Sequence, residues 1–200
     1  MDQQKKKTWS EYYQKVAAYP HKQRTEAAVA QNQSGSLVAL DCGCGTGSDT
    51  AYLLSQSYSV VAFDINQESV EFCSKRFADE SAVTIHCTDF ESFTYPDAGL
   101  VVANASLFFA HPESFPIIWQ KIRAAIPIGG VFCGDFLGPE DEWLEDKRHI
   151  LTPLSEQEVK ALFDGFEILE FSERNRRGPT ARGPEKHWHT FSVIARKNVV

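Results

Sequence analysis

Leu37-Val38-Ala39-Leu40-Asp41-Cys42-Gly43-Cys44-Gly45-Thr46-Gly47-Ser48 begins as a short apolar run and closes on an acid followed by glycines at alternate positions. A continuous apolar run of this length is the pattern of a strand buried on both faces of a parallel sheet. Gly43, Gly45 and Gly47 let the backbone turn tightly and let a ligand approach without meeting a Cβ atom. Ser48 is placed to cap a helix that carries Tyr52, Leu53 and Leu54 on its inward side. The start of that helix adds free N–H groups and the positive end of a dipole. Strand, glycine turn and helix start make a ligand-binding corner. The bland alternative is a glycine-rich turn that binds nothing.

A nicotinamide-binding fingerprint, Gly-x-Gly-x-x-Gly, has a similar loop. Here Ser48 stands where its third glycine would fall, and Asp41 precedes the first glycine by two places. A pyrophosphate would be repelled by Asp41, whereas an ammonium or a sulfonium would not. In this form the stretch resembles the first motif of the class I S-adenosylmethionine-dependent methyltransferases. The resemblance implies S-adenosylmethionine as cofactor, with Asp41, Gly43, Cys44, Gly45 and Gly47 around it.

The second strand, residues 59–64, ends in Asp64, about twenty residues beyond the glycine loop. In a doubly wound sheet a carboxylate there faces a ribose and can accept from both hydroxyls. Ile65 follows it, and Asn66 can cap the next helix. The third strand, 82–87, leads to Asp89 and Phe90, which by the resemblance receive the adenine amino group and the ring. The fourth strand, 100–103, leads to Asn104, which by the same resemblance lies next to the methionine portion, commonly through a backbone carbonyl. The Asn/Asp-Pro-Pro-Tyr run common in amide and base-nitrogen methyltransferases is replaced by Asn104-Ala105-Ser106-Leu107, which argues against such acceptors.

A helix over 113–125 and a strand over 131–136 follow, separated by a Pro127-Ile128-Gly129-Gly130 turn. Ser155 and Glu158 form a capping-box pair ahead of another helix. Strands are expected over 166–171 and 189–195, joined by a basic loop from Arg174 to Lys186. A connection with no crossover helix makes the last strand antiparallel. The reading is an α/β fold: a seven-stranded, Rossmann-like, doubly wound sheet in three layers with an antiparallel last strand. The resemblance spans roughly residues 35–197. Residues 1–34 read as an N-terminal helical segment and 35–200 as the methyltransferase domain. The aromatic face of the helix over 8–17 either closes over the ligand as a lid or packs on the sheet's helices.

Ligands of open parallel sheets bind beyond the carboxyl ends of the strands. This places Phe108, Phe109, Trp143, Arg177 and Arg182 on the rim of an acceptor pocket, with His111, His187 and His189 as candidate bases. Charge runs are usually solvated faces, and that is the simpler reading of the arginines. The histidine-bearing tail and the chain's size resemble small bacterial methyltransferases, including those related to tellurite-resistance methyltransferases.

The 200 residues suit one domain with a full core, and 42% hydrophobic with 24% charged residues is ordinary for a globular protein. A net charge of −7 argues against phosphate-neutralising nucleic-acid binding. No apolar run is long enough to cross a bilayer, and Met1-Asp2-Gln3-Gln4-Lys5 lacks a signal peptide's apolar core. A cytoplasmic protein acting on a small molecule is the expectation. Five cysteines within strand and helix patterns do not form a disulfide framework, and no metal site is expected. The function the resemblance implies is methyl transfer by in-line displacement. A NAD(P)-dependent oxidoreductase is the first rival, although no tyrosine has a lysine four places on. A cofactor-binding protein without transferase activity is the second.

Overall fold

The computed structural model describes residues 19–146, 150–180 and 183–198. The expected helix over 8–17 lies outside these residues. The described chain runs α1 Gln23–Gln31, β1 Val38–Cys42, α2 Ser48–Ser55, β2 Ser59–Asp64, α3 Gln67–Arg76, β3 Val83–Cys87, β4 Leu100–Ala103, α4 Phe115–Ala125, β5 Val131–Leu137, α5 Glu156–Leu162, β6 Phe166–Pro179 and β7 Glu185–Lys197. The strands form one sheet in the order β3-β2-β1-β4-β5-β7-β6. β7 runs antiparallel to both of its neighbours, and the other described strands are parallel.

β1 lies at the centre because its side chains are apolar on both faces. Ala39 and Leu40 are both fully buried and point to opposite sides of the sheet. On one side Ala39 joins Ala28, Leu53, Cys73 and Phe77 beneath α1, α2 and α3. On the other Leu40 joins Phe63, Trp119, Phe132, Phe136 and Phe163 beneath α4 and α5. α4 repeats Phe115, Ile118, Trp119, Ile122 and Ala125 along one buried face. The Trp119 indole N–H is satisfied by the Leu162 carbonyl at 3.0 Å. Three layers therefore enclose two cores. Among the described residues no helix is long and apolar enough to cross a membrane.

Local signals fall where the side chains dictate. Asn66 caps α3 by accepting the Glu68 N–H at 3.0 Å. Ser155 and Glu158 close a reciprocal capping box on α5. Ser48 does not cap α2: Gly47 takes that position at φ +73°, and the Ser48 hydroxyl donates to the Tyr19 carbonyl instead.

The C-terminal hairpin departs most from its expected form. β6 and β7 are 14 and 13 residues long, and most of the supposed basic loop is strand. β5 stops pairing with β7 at Leu137↔Thr190, but β6 and β7 continue together to Pro179↔Glu185. Arg174, Asn175, Arg176 and Arg177 pair in sequence with Thr190, His189, Trp188 and His187. A two-stranded ribbon thus rises past the carboxyl rim of the sheet. Cross-strand packing holds it, including the Arg174 guanidinium 4.7 Å above the Trp188 ring.

Candidate functional site

Strand order reverses at β1, which pairs with β2 on one side and β4 on the other. A crevice opens beyond the carboxyl ends at such a switch point. Gly43, Gly45 and Gly47 line it, all in the left-handed region at φ +78°, +55° and +73°. Gly43 is needed on both conformational and packing grounds, since an added Cβ would sit 2.5 Å from that of Ser106. Its N–H and that of Cys44 donate to the Phe63 carbonyl at 2.8 and 2.9 Å. From below, the Gly45 carbonyl accepts from Ser69 Oγ and Cys73 Sγ, and the Thr46 carbonyl accepts from Arg76. The Cys44 side chain is turned into the core against Cys73, leaving its backbone as the part that faces the crevice.

Asp41 is buried at the base of this loop, 3% exposed, and accepts the Thr50 hydroxyl at 2.6 Å. Burial pushes its carboxyl up to about 7, and Asp49 and Asp64 add to the rise while Thr50 opposes it. In its ionised form this carboxylate would attract an arriving cation and repel a pyrophosphate.

Asp64 braces the loop across the crevice. One oxygen accepts the Gly45 N–H and the other the Asn66 N–H, both at 2.9 Å. A carboxylate oxygen can accept more than one hydrogen bond. Ile65, 63% exposed, projects beside it as an open apolar surface. Asp89 is half-buried and accepts the Ser92 N–H at 2.7 Å. Phe90 is buried and meets Phe63 edge-on at 5.1 Å. Its ring belongs to the core, so it backs the crevice wall rather than offering a face to a ligand.

The Asn104 side chain is committed to the protein. Its oxygen accepts from Arg24 Nε at 2.6 Å, and its amide donates to Thr25 and Asp49, each at 3.0 Å. Only its backbone remains for the crevice. Arg24 also donates to Ser192 Oγ at 2.7 Å and forms a partly buried ion pair with Asp135. Asp49 accepts the Lys22 N–H and the Thr25 hydroxyl, at 3.0 and 2.7 Å. Arg24, Thr25, Asp49 and Asp135 are thus site-forming residues that the sequence reading missed. They come from two helices and one strand far apart in the chain and carry no shared periodicity. The one available signal was Asp135, an acid inside an otherwise apolar strand.

The rim collects Phe108, Phe109 and Trp143, with Phe109 and Trp143 ring centroids 6.1 Å apart. Trp143 meets Trp188 at 5.1 Å, and the Lys186 ammonium lies 4.0 Å from each of these two rings. Lys186 pairs with Asp141, which also accepts the His189 N–H at 2.9 Å. Arg177, 61% exposed, reaches Glu142 at 3.4 Å. Arg182 lies outside the described residues. Two of the ribbon's cations, Arg177 and Lys186, are therefore paired with acids from the segment after β5.

The three histidines do not converge. His189 is buried, its Nδ1 accepts the Glu140 N–H at 3.1 Å, and its Nε2 lies 3.1 Å from Glu173 in poor alignment for a hydrogen bond. His187 Nε2 is 2.6 Å from Asn175 Oδ1. His111 Nδ1 accepts the Glu113 N–H at 3.3 Å.

Residues 39–130 match the family model for a methyltransferase domain. Among curated proteins, the carboxy-S-adenosyl-L-methionine synthase of Shewanella loihica is 25% identical over 142 residues, covering 67% of this chain and 56% of that protein. The synthase of the same name from Helicobacter hepaticus is 30% identical over 108 residues, covering 52% and 45%. The chain thus spans about half the length of these relatives. Among solved structures, TehB from Haemophilus influenzae superposes with a TM-score of 0.74 at 19% identity, over 94% of this chain and 66% of that one. A SAM-dependent methyltransferase from Methanosarcina mazei gives 0.68 at 19% identity, over 90% and 100%. The N-methyltransferase NodS from Bradyrhizobium japonicum, solved with S-adenosyl-L-homocysteine, gives 0.63 at 15% identity, over 87% and 85%.

Proposed function

We propose that the chain is a class I S-adenosylmethionine-dependent methyltransferase, which binds S-adenosylmethionine in the β1–β4 crevice and transfers its methyl group to a small-molecule acceptor; the methyltransferase-domain match over residues 39–130 and the shared fold support this reading. The observation that carries this reading is the glycine loop itself: three left-handed glycines, braced by Asp64 and underlain by a buried, near-neutral Asp41. The cofactor, when bound, supplies an electrophilic methyl on a sulfonium. Gly43, Gly45 and Gly47 give it backbone access, Asp41 complements its ammonium group, and Asp64 with Ile65 receives the ribose side. Asp89 takes the adenine edge, with Phe90 supporting the wall behind it, and the Asn104 carbonyl faces the methionine portion.

Transfer is an in-line displacement, so alignment and exclusion of water supply most of the rate. A soft or already ionised nucleophile needs no base, which suits a site whose histidines are engaged elsewhere. The aromatic rim of Phe108, Phe109 and Trp143 walls the acceptor side. The acid partners of Arg177 and Lys186 favour a scaffold role for these two cations over that of a free anion trap.

Turnover with methyl-labelled cofactor, screened over thiols, chalcogen oxyanions, phenols and amines, tests the transfer. Label appearing in an acceptor supports it. Tight cofactor binding with no label transfer over the whole panel would favour a binding protein.

Asp41 gives a pH signature. In the free protein its carboxyl keeps its proton up to about pH 7, whereas the unfolded chain loses it near 3.8. Between these values the unfolded state binds fewer protons, so this group lowers stability as pH rises from 3.8 to about 7, and then levels off. A cationic ligand reverses the preference, because it binds the ionised form. Cofactor affinity is expected to rise with pH up to about 7 and flatten above it, and Asp41→Asn should remove both the rise and the stability loss. Calorimetric titrations and thermal melts across that range read the two effects. A wild-type affinity that is flat with pH would separate Asp41 from the ligand's charge.

A further inference from the structure

Ala105, immediately after Asn104, adopts φ +52° and is one of two described non-glycine residues in the left-handed region. An alanine pays a steric cost there that a glycine does not. Its side chain is exposed at the mouth of the crevice, so burial of the methyl group does not hold it in place. Its N–H is held by a specific partner: it donates to Asp135 Oδ2 at 2.8 Å. Strain of this kind persists only where surrounding contacts over-determine it.

Asp135 is unusually well equipped to hold the turn. It is buried in β5, opposite Ser192 in the register of β7. It accepts the Ser192 hydroxyl at 2.6 Å on one oxygen, and the Ala105 N–H and the Arg24 guanidinium on the other. Arg24 in turn reaches Ser192 Oγ and the Asn104 side chain. The Asp135 carboxylate and the Arg24 guanidinium therefore hold both residues of the Asn104–Ala105 turn, from β5 and α1, and Ser192 of β7 bonds to each of them. An isosteric apolar residue would fill the same space in β5 without fixing this turn.

We infer that Asp135 is a positioning residue for the transfer reaction: it sets the left-handed Asn104–Ala105 turn and through it the direction of the Asn104 carbonyl toward the cofactor's methionine end. This rests on the reading that S-adenosylmethionine occupies the β1–β4 crevice. Asp135 touches neither reactant. Its effect is carried by one backbone N–H and by the arginine it pins.

A double-mutant cycle between Asp135 and Ala105 tests it. Glycine adopts the left-handed conformation unaided, so Ala105→Gly should make the turn less dependent on Asp135. Asp135→Asn in the wild-type background is expected to weaken S-adenosylhomocysteine binding about tenfold and to lower kcat with little change in acceptor KM. The same change in an Ala105→Gly background should weaken binding less than about threefold, while the drop in melting temperature remains, since the Arg24 ion pair is lost in both. Equal affinity losses in the two backgrounds would make Asp135 a fold-stabilising group only and overturn the inference. Ser192→Ala, which removes one partner of Asp135 and leaves the carboxylate, covers the case where Asp135→Asn does not fold. It should show the same dependence on residue 105 at smaller amplitude, and no dependence would again overturn the inference. A wild-type protein that fails to bind S-adenosylhomocysteine would instead contradict the cofactor reading on which this rests.

Discussion

Gly45→Val is expected to abolish measurable S-adenosylhomocysteine binding, a loss of more than about 100-fold or roughly 2.7 kcal/mol, in a protein that still folds. The backbone at Gly45 sits at φ +55°, where a β-branched residue is a genuine outlier. The residue also has two jobs that fix its peptide groups: its N–H donates to Asp64, and its carbonyl accepts from Ser69 and Cys73. Valine either pulls the loop off these partners or keeps it there with a branched side chain in the ligand's approach path. The fold survives because Gly45 is half-exposed at the rim, outside both core clusters. Titration calorimetry with a parallel thermal melt reads both outcomes. A variant that melts cooperatively and binds as well as wild type would show that the loop does not touch the ligand.

Asp64→Ala is expected to cost nearly as much, and by two separable routes. The carboxylate accepts backbone N–H groups from Gly45 and Asn66, and hydrogen bonds to a charged group contribute about 1.5–3 kcal/mol each. Losing them loosens the glycine loop for every ligand. Losing the ribose contact adds a penalty only for ligands with ribose hydroxyls. Binding of S-adenosylhomocysteine should therefore fall about 100-fold or more, and binding of an analogue without those hydroxyls should fall clearly less. Equal losses for the two ligands would leave Asp64 as a loop brace and remove it from the ribose site.

Much of this site could be read in the chain because its signals are local. The apolar run of β1, the alternate glycines and the acid two places before them lie within eleven residues and describe one turn. The Asn66 cap and the Ser155–Glu158 box were legible for the same reason. Ser48 was misread because Gly47, already left-handed, ends the turn one residue earlier. The β6–β7 ribbon was missed because it rises beyond the sheet and its buried side chains, Lys186 and His189, are polar, so no apolar alternation marks it. Arg174 to Arg177 read as solvated charge, yet they pair strand to strand with His187 to Thr190. The Arg24–Asp135 pair joins residues 111 positions apart and leaves no periodic trace. Phe90 was placed against a ligand by resemblance, and the packing of Phe63 shows its ring serving the core.

The oxidoreductase alternative turns on the same loop, where the proposed role of Asp41 is to discriminate between the two ligands by charge. Calorimetric titration of the wild-type chain with S-adenosylhomocysteine and, separately, with NADH tests that point most directly. Saturable one-to-one binding of S-adenosylhomocysteine with no heat from NADH is the predicted result. Saturable binding of NADH, with none of S-adenosylhomocysteine, would contradict it.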